Sequence, residues 1–210
     1  MCNRARLAGE PETLHARFSA SWAQDVVRPN VSLEELYPKS RAYIVREERD
    51  RRVIDVVSWD VLGGQGPWPM TNVRNLRSPQ WRALAESQSN RCLVPLTEFC
   101  DWTPDKHQVG DGKPLKGEMW FAVPEQPVFA VAGFWRPTGR GSGFAMITCD
   151  PNELVAPIHP KAMITILHEA DWDRWLRGKW GDVIDLQEPY PAEQMTVRGP
   201  VFPTRREGDA

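Results

Sequence analysis

The chain has 210 residues, with 26 Lys+Arg against 28 Asp+Glu and a formal net charge of −2. Hydrophobic residues are 41% and charged residues 26%, ordinary globular values that exclude a collagenous, coiled-coil or wholly disordered chain. The near-neutral charge excludes a broadly basic nucleic-acid binder and leaves room only for a local basic groove. A chain of this size buries roughly 70% of its unfolded surface, so it folds without staples. No apolar run reaches the ~18 residues that span a bilayer, and the first 18 residues lack the apolar centre of a signal peptide. The expectation is one soluble, cytosolic domain over residues 1–203, a monomer with no membrane contact, followed by a disordered tail at 204–210.

In chain order, residues 10–20 place Leu14 and Phe18 at i and i+4, a short amphipathic helix. Residues 42–46 and 53–59 are rich in β-branched side chains and read as strands joined by an exposed charged hairpin. Three Gly and two Pro make 63–70 a loop. Residues 78–89 begin with Ser78 as N-cap and Pro79 at the first helical position. A strand over 91–96 ends at Pro95, and the polar stretch 103–117 reads as a surface loop. Strands follow at 118–123, 127–135, 143–149 and 162–167. Residues 168–178 form a helix with Trp172, Trp175 and Leu176 on one face and Gly178 as its C-terminal cap. About seven strands with three helices in mixed order predict an α+β fold: a single domain with a curved, barrel-like, mixed or antiparallel sheet and a few flanking helices.

The cysteines at 2, 92, 100 and 149 form no CxxC pair, and the four histidines supply no HExxH. The pattern predicts no metal site and no cofactor. Cys92, Cys100 and Cys149 read as small buried hydrophobes. Cys2 differs, because Met1 is generally removed when a small residue follows it. The mature chain then carries a 1,2-aminothiol. Its α-amine has an ordinary pKa near 7.7–8.0, so roughly a tenth is unprotonated at neutral pH, over a hundredfold more than for a lysine. Such an amine attacks aldehydes to give an imine. The neighbouring thiol closes on the imine carbon to give a five-membered thiazolidine.

Four segments occur in register: Cys2-Asn3-Arg4, Asn72-Val73-Arg74-Asn75, the run 91–102 ending in Cys100-Asp101-Trp102, and Ala156-Pro157-Ile158-His159-Pro160-Lys161. They resemble the SOS response-associated peptidase (SRAP) family of abasic-site processing proteins. The strand FAVAGFW (129–135), the late helix DWDRWL (171–176) and the Leu36-Tyr37-Pro38 segment extend the resemblance over nearly the whole chain.

The resemblance implies a protein of the DNA damage response, located in the cytoplasm at the nucleoid. It binds single-stranded DNA and crosslinks Cys2 to the aldehyde of a ring-opened abasic site. It implies catalytic roles for Cys2, Asn72, His159 and an acid. The family usually reads G-F-Y-E-W, and alignment on Phe99 and Trp102 puts Asp101 at the Glu position, one methylene short. Glu98 is the reserve acid, although strand alternation turns it to the opposite face from Asp101. Other departures are Asn3 for the usual Gly and Lys161 for the usual Arg. Arg4, Arg74 and Lys161 are expected at DNA phosphates, and Pro38 is expected as a wedge beside the lesion. There are 10 Trp; most are assigned to the core, with Trp68 and Trp59 as candidates for base stacking. Two other readings stand beside this one. One is a self-processing cysteine peptidase using Cys2 and His159. The other is a single-stranded DNA binder whose altered acid has weakened the chemistry.

Overall fold

The structure is a computed structural model and describes residues 3–24, 26 and 34–202. In chain order it comprises β1 (Arg4–Arg6), α1 (Thr13–Phe18), β2 (Ser21–Trp22), β3 (Glu35–Leu36), β4 (Arg41–Glu48), β5 (Arg51–Ser58), β6 (Asn72–Val73), α2 (Pro79–Glu86), β7 (Arg91–Leu96), β8 (Glu98–His107), β9 (Leu115–Ala122), β10 (Phe129–Thr138), β11 (Gly141–Cys149), β12 (Met163–Ile164), β13 (Ile166–Leu167), α3 (Trp172–Arg177), α4 (Trp180–Val183) and β14 (Thr196–Val201). The expected α+β architecture is present, as a closed barrel with extra strands and few helices. No helix of the described residues is long and apolar enough to cross a membrane.

Five strands close into the barrel. β5, β4, β7, β10 and β11 pair antiparallel in that order, and β11 returns to β5 in parallel at Gly143 opposite Ser58. An odd ring of alternating strands must contain one parallel seam, and here it lies between β11 and β5. A Cβ at Gly143 would collide with the carbonyl of Asp60, so the seam requires a glycine. A second sheet, in the order β14-β9-β8-β1-β3, grows out of the barrel. Only Thr97 separates β7 from β8, so one nearly continuous extended segment carries the chain from the first sheet into the second.

The helices pack aromatic rings onto this frame. Phe18 stacks on Trp172 with centroids 4.6 Å apart, and Phe134 on Trp175 at 5.9 Å. Arg91 at the start of β7 is fully buried. Its guanidinium donates to the carbonyls of Ala85 (2.8 Å), Glu86 (3.3 Å), Trp175 (3.0 Å) and Gly178 (2.7 Å). These are C-terminal carbonyls of α2 and α3, which a helix cannot satisfy internally. One buried cation therefore ends two helices at the favourable pole of each dipole. Burial lowers its pKa to about 10, still well above neutral pH.

Several expectations change. Residues 103–107 and 115–117 are strand, so the expected loop shrinks to the tip of a long β8–β9 hairpin. β7 runs through Pro95, which sits opposite Ala130. The strand at 162–167 divides at Thr165, whose N–H donates to Ile147 while its carbonyl accepts from Ala132, both at 2.9 Å. Gly178 does cap α3, but at φ −64°. Its amide approaches Arg174 so closely that a Cβ would strike that carbonyl, so the requirement is space and not a left-handed conformation. The short strands β1, β3, β6 and β14 escape periodicity because they are brief or fully exposed.

Replacing Arg91 by Met should keep the packing volume and remove the donor from four helix-end carbonyls, of which those of Ala85 and Trp175 are buried. Stability should fall by about 3 kcal/mol, or about 6–12 °C in Tm for a chain of this size. Urea unfolding should show a lower midpoint at an unchanged slope.

Candidate functional site

β1 pairs antiparallel with β8, placing Arg4 opposite Cys100, Ala5 opposite Phe99 and Arg6 opposite Glu98. Continuing that register by one residue carries Asn3 towards Asp101. Cys2 lies outside the described residues, but it is joined to Asn3 by one peptide bond, about 3.8 Å between Cα atoms. Asn3 is held from the other side. Thr71 Oγ1 donates to Asn3 Oδ1 at 3.1 Å and accepts from Asn72 Nδ2 at 2.9 Å. The carbonyl of Thr71 accepts from Trp59 Nε1 and from the Met146 N–H, each at 2.9 Å. The Thr71 hydroxyl thus hangs from a backbone clamped on two sides. Asn72 is buried at the start of β6, against Met146 of β11.

Asp101 is 3% exposed, and its Oδ2 has no hydrogen-bond partner among the described residues. Burial pushes its carboxyl pKa above the ordinary value, and the nearby positive charge of His159 opposes the rise. His159 sits in the 150–161 connection, which Asn152 fixes by accepting from the N–H groups of Leu154 and Val155 at 3.2 and 3.0 Å. His159 Nδ1 lies 2.7 Å from the carbonyl oxygen of Ala162 and 3.1 Å from the Ala162 amide nitrogen. Both contacts are made by Nδ1, so the Ala162 backbone fixes the ring orientation and turns Nε2 to the opposite side of the imidazole. The arrangement holds an acid with a raised pKa, an oriented imidazole and an amide around the start of β1.

The family model for SOS response associated peptidase (SRAP) matches residues 1–201. The chain belongs to the SRAP family. Its fold recurs in a protein from Bacteroides thetaiotaomicron at TM-score 0.74 and 21% identity, covering 93% of this chain and 90% of that one. A protein from Bordetella bronchiseptica matches at TM-score 0.71 and 19% identity, over 93% and 98% of the two chains. A phage-related protein from Bordetella bronchiseptica matches at TM-score 0.68 and 16% identity, over 98% and 95%. Among curated proteins no relative matches.

Around this candidate site the other residues separate. Trp59 is fully buried and stacked on Phe144 at 6.2 Å. Its assignment to base stacking is therefore corrected: no base can reach it, and its indole N–H is committed to Thr71. Trp68 is 80% exposed on the loop after β5. Arg4 pairs with Glu35 at 3.1 Å and with buried Glu118, and its guanidinium lies 5.1 Å from the Trp120 ring and 5.3 Å from Tyr37. Arg74 binds the Asp150 carboxylate and the carbonyls of Cys149 and Lys161, tying β6 to the histidine connection. Lys161 is exposed and Pro38 half-buried. Glu98 is bidentate to Arg198 at 2.9 and 2.8 Å and faces away from Asp101, so the two candidate acids lie in different surroundings.

Thr71 and Trp102 escaped the sequence reading. Trp102 follows Asp101 in β8 and is 42% exposed; an aromatic beside an acid in a strand gives no pattern that separates it from core. The other described cysteines are buried, and burial raises their thiols, Cys149 to about 11, Cys100 to about 12 and Cys92 further. They stay protonated at neutral pH and are poor nucleophiles.

The raised pKa of Asp101 carries a sign. The folded state holds this proton more tightly than the unfolded state, so its contribution is present in acid and is lost as pH rises through the folded value. Asp101→Asn removes the loss. A series of thermal unfolding curves should show the variant gaining stability over wild type as pH rises above the ordinary carboxyl range, with the difference vanishing in acid.

Proposed function

We propose that this SRAP-family chain captures abasic sites in single-stranded DNA through a covalent link to Cys2, after removal of Met1, as part of the DNA damage response in the cytoplasm. The observation that carries the reading is buried Asp101, with an oxygen unpartnered among the described residues, next to His159 and in line with the start of β1.

The chemistry proceeds as one condensation followed by one ring-closing addition. The unprotonated α-amine of Cys2 adds to the aldehyde carbon of the ring-opened sugar, and the carbinolamine loses water to form an imine. The thiol then adds across the C=N bond. Sulfur takes the carbon, the thiol proton passes to nitrogen, and the thiazolidine is complete without an oxidant or reductant. Both steps need protons moved at a dry site. A carboxyl with a raised pKa gives a proton to the departing hydroxyl more readily than an ordinary aspartate. His159 Nε2 receives or returns protons at the sugar oxygen. Asn72 supplies an amide that orients the amine or sugar oxygen without competing as a nucleophile. Arg74 and Lys161, both solvent-facing, are assigned to flanking phosphates, with Pro38 and Trp68 against the unstacked bases. Arg4 is set between carboxylates, and its part is to hold β1 and thus the nucleophile.

Mass measurement of the purified chain should show loss of Met1. Incubation with a single-stranded oligonucleotide bearing one abasic site should give an adduct that survives denaturing electrophoresis without borohydride. An absent adduct would sink the proposal, and an adduct formed by Cys2→Ala would sink its mechanism. Asp101→Asn should slow crosslinking by about 100-fold, the low end for a lost proton donor. Thr71→Val should reduce the crosslinking rate at saturating DNA with little change in DNA affinity or Tm, and Thr71→Ser should restore it.

A further inference from the structure

The cations closest to the site already share their charge with carboxylates. Arg4 is paired with Glu35 and Glu118, and Arg74 with Asp150. A strand of DNA needs its charge met elsewhere as well. Beside the turn that carries Pro38 lies a cleft of about 180 Å³, lined by Lys39, Ser58, Asp60, Thr138, Arg140 and Ser142. No carboxylate among the described residues pairs with Lys39 or Arg140. Three hydroxyl groups also line the cleft: Ser58 and Thr138 donate theirs to the carbonyls of Lys39 and Gly141, each at 3.2 Å, and the Ser142 hydroxyl is the donor suited to a phosphate oxygen.

Resting on the function proposed above, we propose that this cleft is a phosphate subsite that holds the backbone of the single strand to one side of the lesion. The carboxylate in the lining does not oppose it. Asp60 is buried and accepts from the backbone N–H groups of Leu62 (3.2 Å), Gly64 (2.8 Å) and Met70 (2.9 Å), so its charge is absorbed in fixing the 60–70 loop. That same loop lines the cleft with Gly63 and Gly64 and, four residues further on, presents Trp68 to solvent, so one loop carries both a wall of the cationic cleft and an exposed ring, the pairing that single-strand binding uses.

The walls of the cleft are shaped for these side chains. Lys39 occupies a left-handed backbone conformation at φ 70°, which costs a lysine about 1 kcal/mol where a glycine would sit without strain. The turn is fastened at both ends: Ser40 N–H donates to Tyr37 at 2.9 Å, Lys39 N–H to Trp59 at 3.1 Å, and Ser58 Oγ to the Lys39 carbonyl at 3.2 Å. On the other wall, a Cβ at Gly64 would come within 3.1 Å of Arg140 Nη1, so the guanidinium lies directly over that glycine.

The cleft is also in line with the candidate site. Ser142 on its floor stands four residues along β11 from Met146, which faces Asn72. At strand rise that is on the order of 13 Å. On the other side Lys39 is two residues from Tyr37, whose ring contacts the Arg4 guanidinium at 5.3 Å. A short single strand therefore reaches from the site to the cleft over the Tyr37–Pro38 turn.

The test is the salt dependence of binding to undamaged single-stranded DNA, measured for wild type, for Lys39→Gln/Arg140→Gln and for the control Lys113→Gln/Lys116→Gln. The first variant should bind about tenfold more weakly at low salt. Its slope of log K against log salt should shrink by about 0.7, the value for one single-strand phosphate. Its Tm and its crosslinking rate at saturating abasic DNA should match wild type, because neither residue touches the reacting atoms. The control pair should change nothing. Wild-type affinity and slope in Lys39→Gln/Arg140→Gln overturn the subsite, and an equal loss in the control pair overturns it too, by making the effect one of net charge. A wild type that binds single strands but forms no adduct overturns the covalent function and leaves the subsite standing.

Discussion

The site depends on a pairing only three residues long. β1 adds Arg4–Arg6 to the edge of β8, and that ladder places Asn3, the residue next to Cys2. The nucleophile proposed at Cys2 gains from such anchoring, since a free end visits too many positions for an amine and a thiol to meet one carbon in the right geometry. The ladder, the Arg4 pairs with Glu35 and Glu118, and the Thr71–Asn3 hydrogen bond all act against that freedom. They join the terminus to the strand that bears Asp101 and to the strand that bears Asn72.

Electrostatics divides the second sheet into two faces with different tasks. Arg4, Arg6, Glu35, Glu98, Glu118 and Arg198 interleave on one face around Trp120, over which the Arg6 guanidinium lies at 4.0 Å. Each charge there has a neighbour of opposite sign. The other face buries Phe99 against Phe121 at 4.9 Å and, beyond them, Asp101. The carboxyl at the end of this apolar face has a raised pKa because burial disfavours its charge more than the nearby positive charges favour it. The alternation of a single strand thus separates a glutamate held in ion pairs from a buried aspartate, three residues apart.

Much of this was legible in the chain. The β-branched runs of β4 and β5, the Ser78-Pro79 helix start and the Trp172–Trp175–Leu176 face follow period and capping rules, which act locally. Of the residues in the four motifs, Asp101 lies close enough to His159 to feel its charge, and Asn72 is linked to Asn3 through the Thr71 hydroxyl. What stayed hidden depends on contacts distant in sequence. Trp59 and Trp68 are chemically alike in the chain, yet one is enclosed by Phe144 and Thr71 and the other stands in solvent. The carboxylate partners of Arg4 and Arg74 lie 31 and 76 positions away, so no local pattern announces those ion pairs. The β8–β9 arm read as a loop because its side chains are polar on both faces, and only its cross-strand partners reveal the strand.

The parallel seam of the barrel has one further effect. Gly143 is the only residue type that fits against the Asp60 carbonyl, and the next residue along β11 is a phenylalanine. A slip of β11 by one position would drive the Phe144 side chain into that carbonyl. The seam therefore works as a registration pin for the whole ring. By fixing the axial setting of β11 it also fixes Met146, and through it the height of Asn72 above the barrel rim. A steric rule at one glycine on the barrel wall thereby sets the position of an amide on the order of 10 Å away.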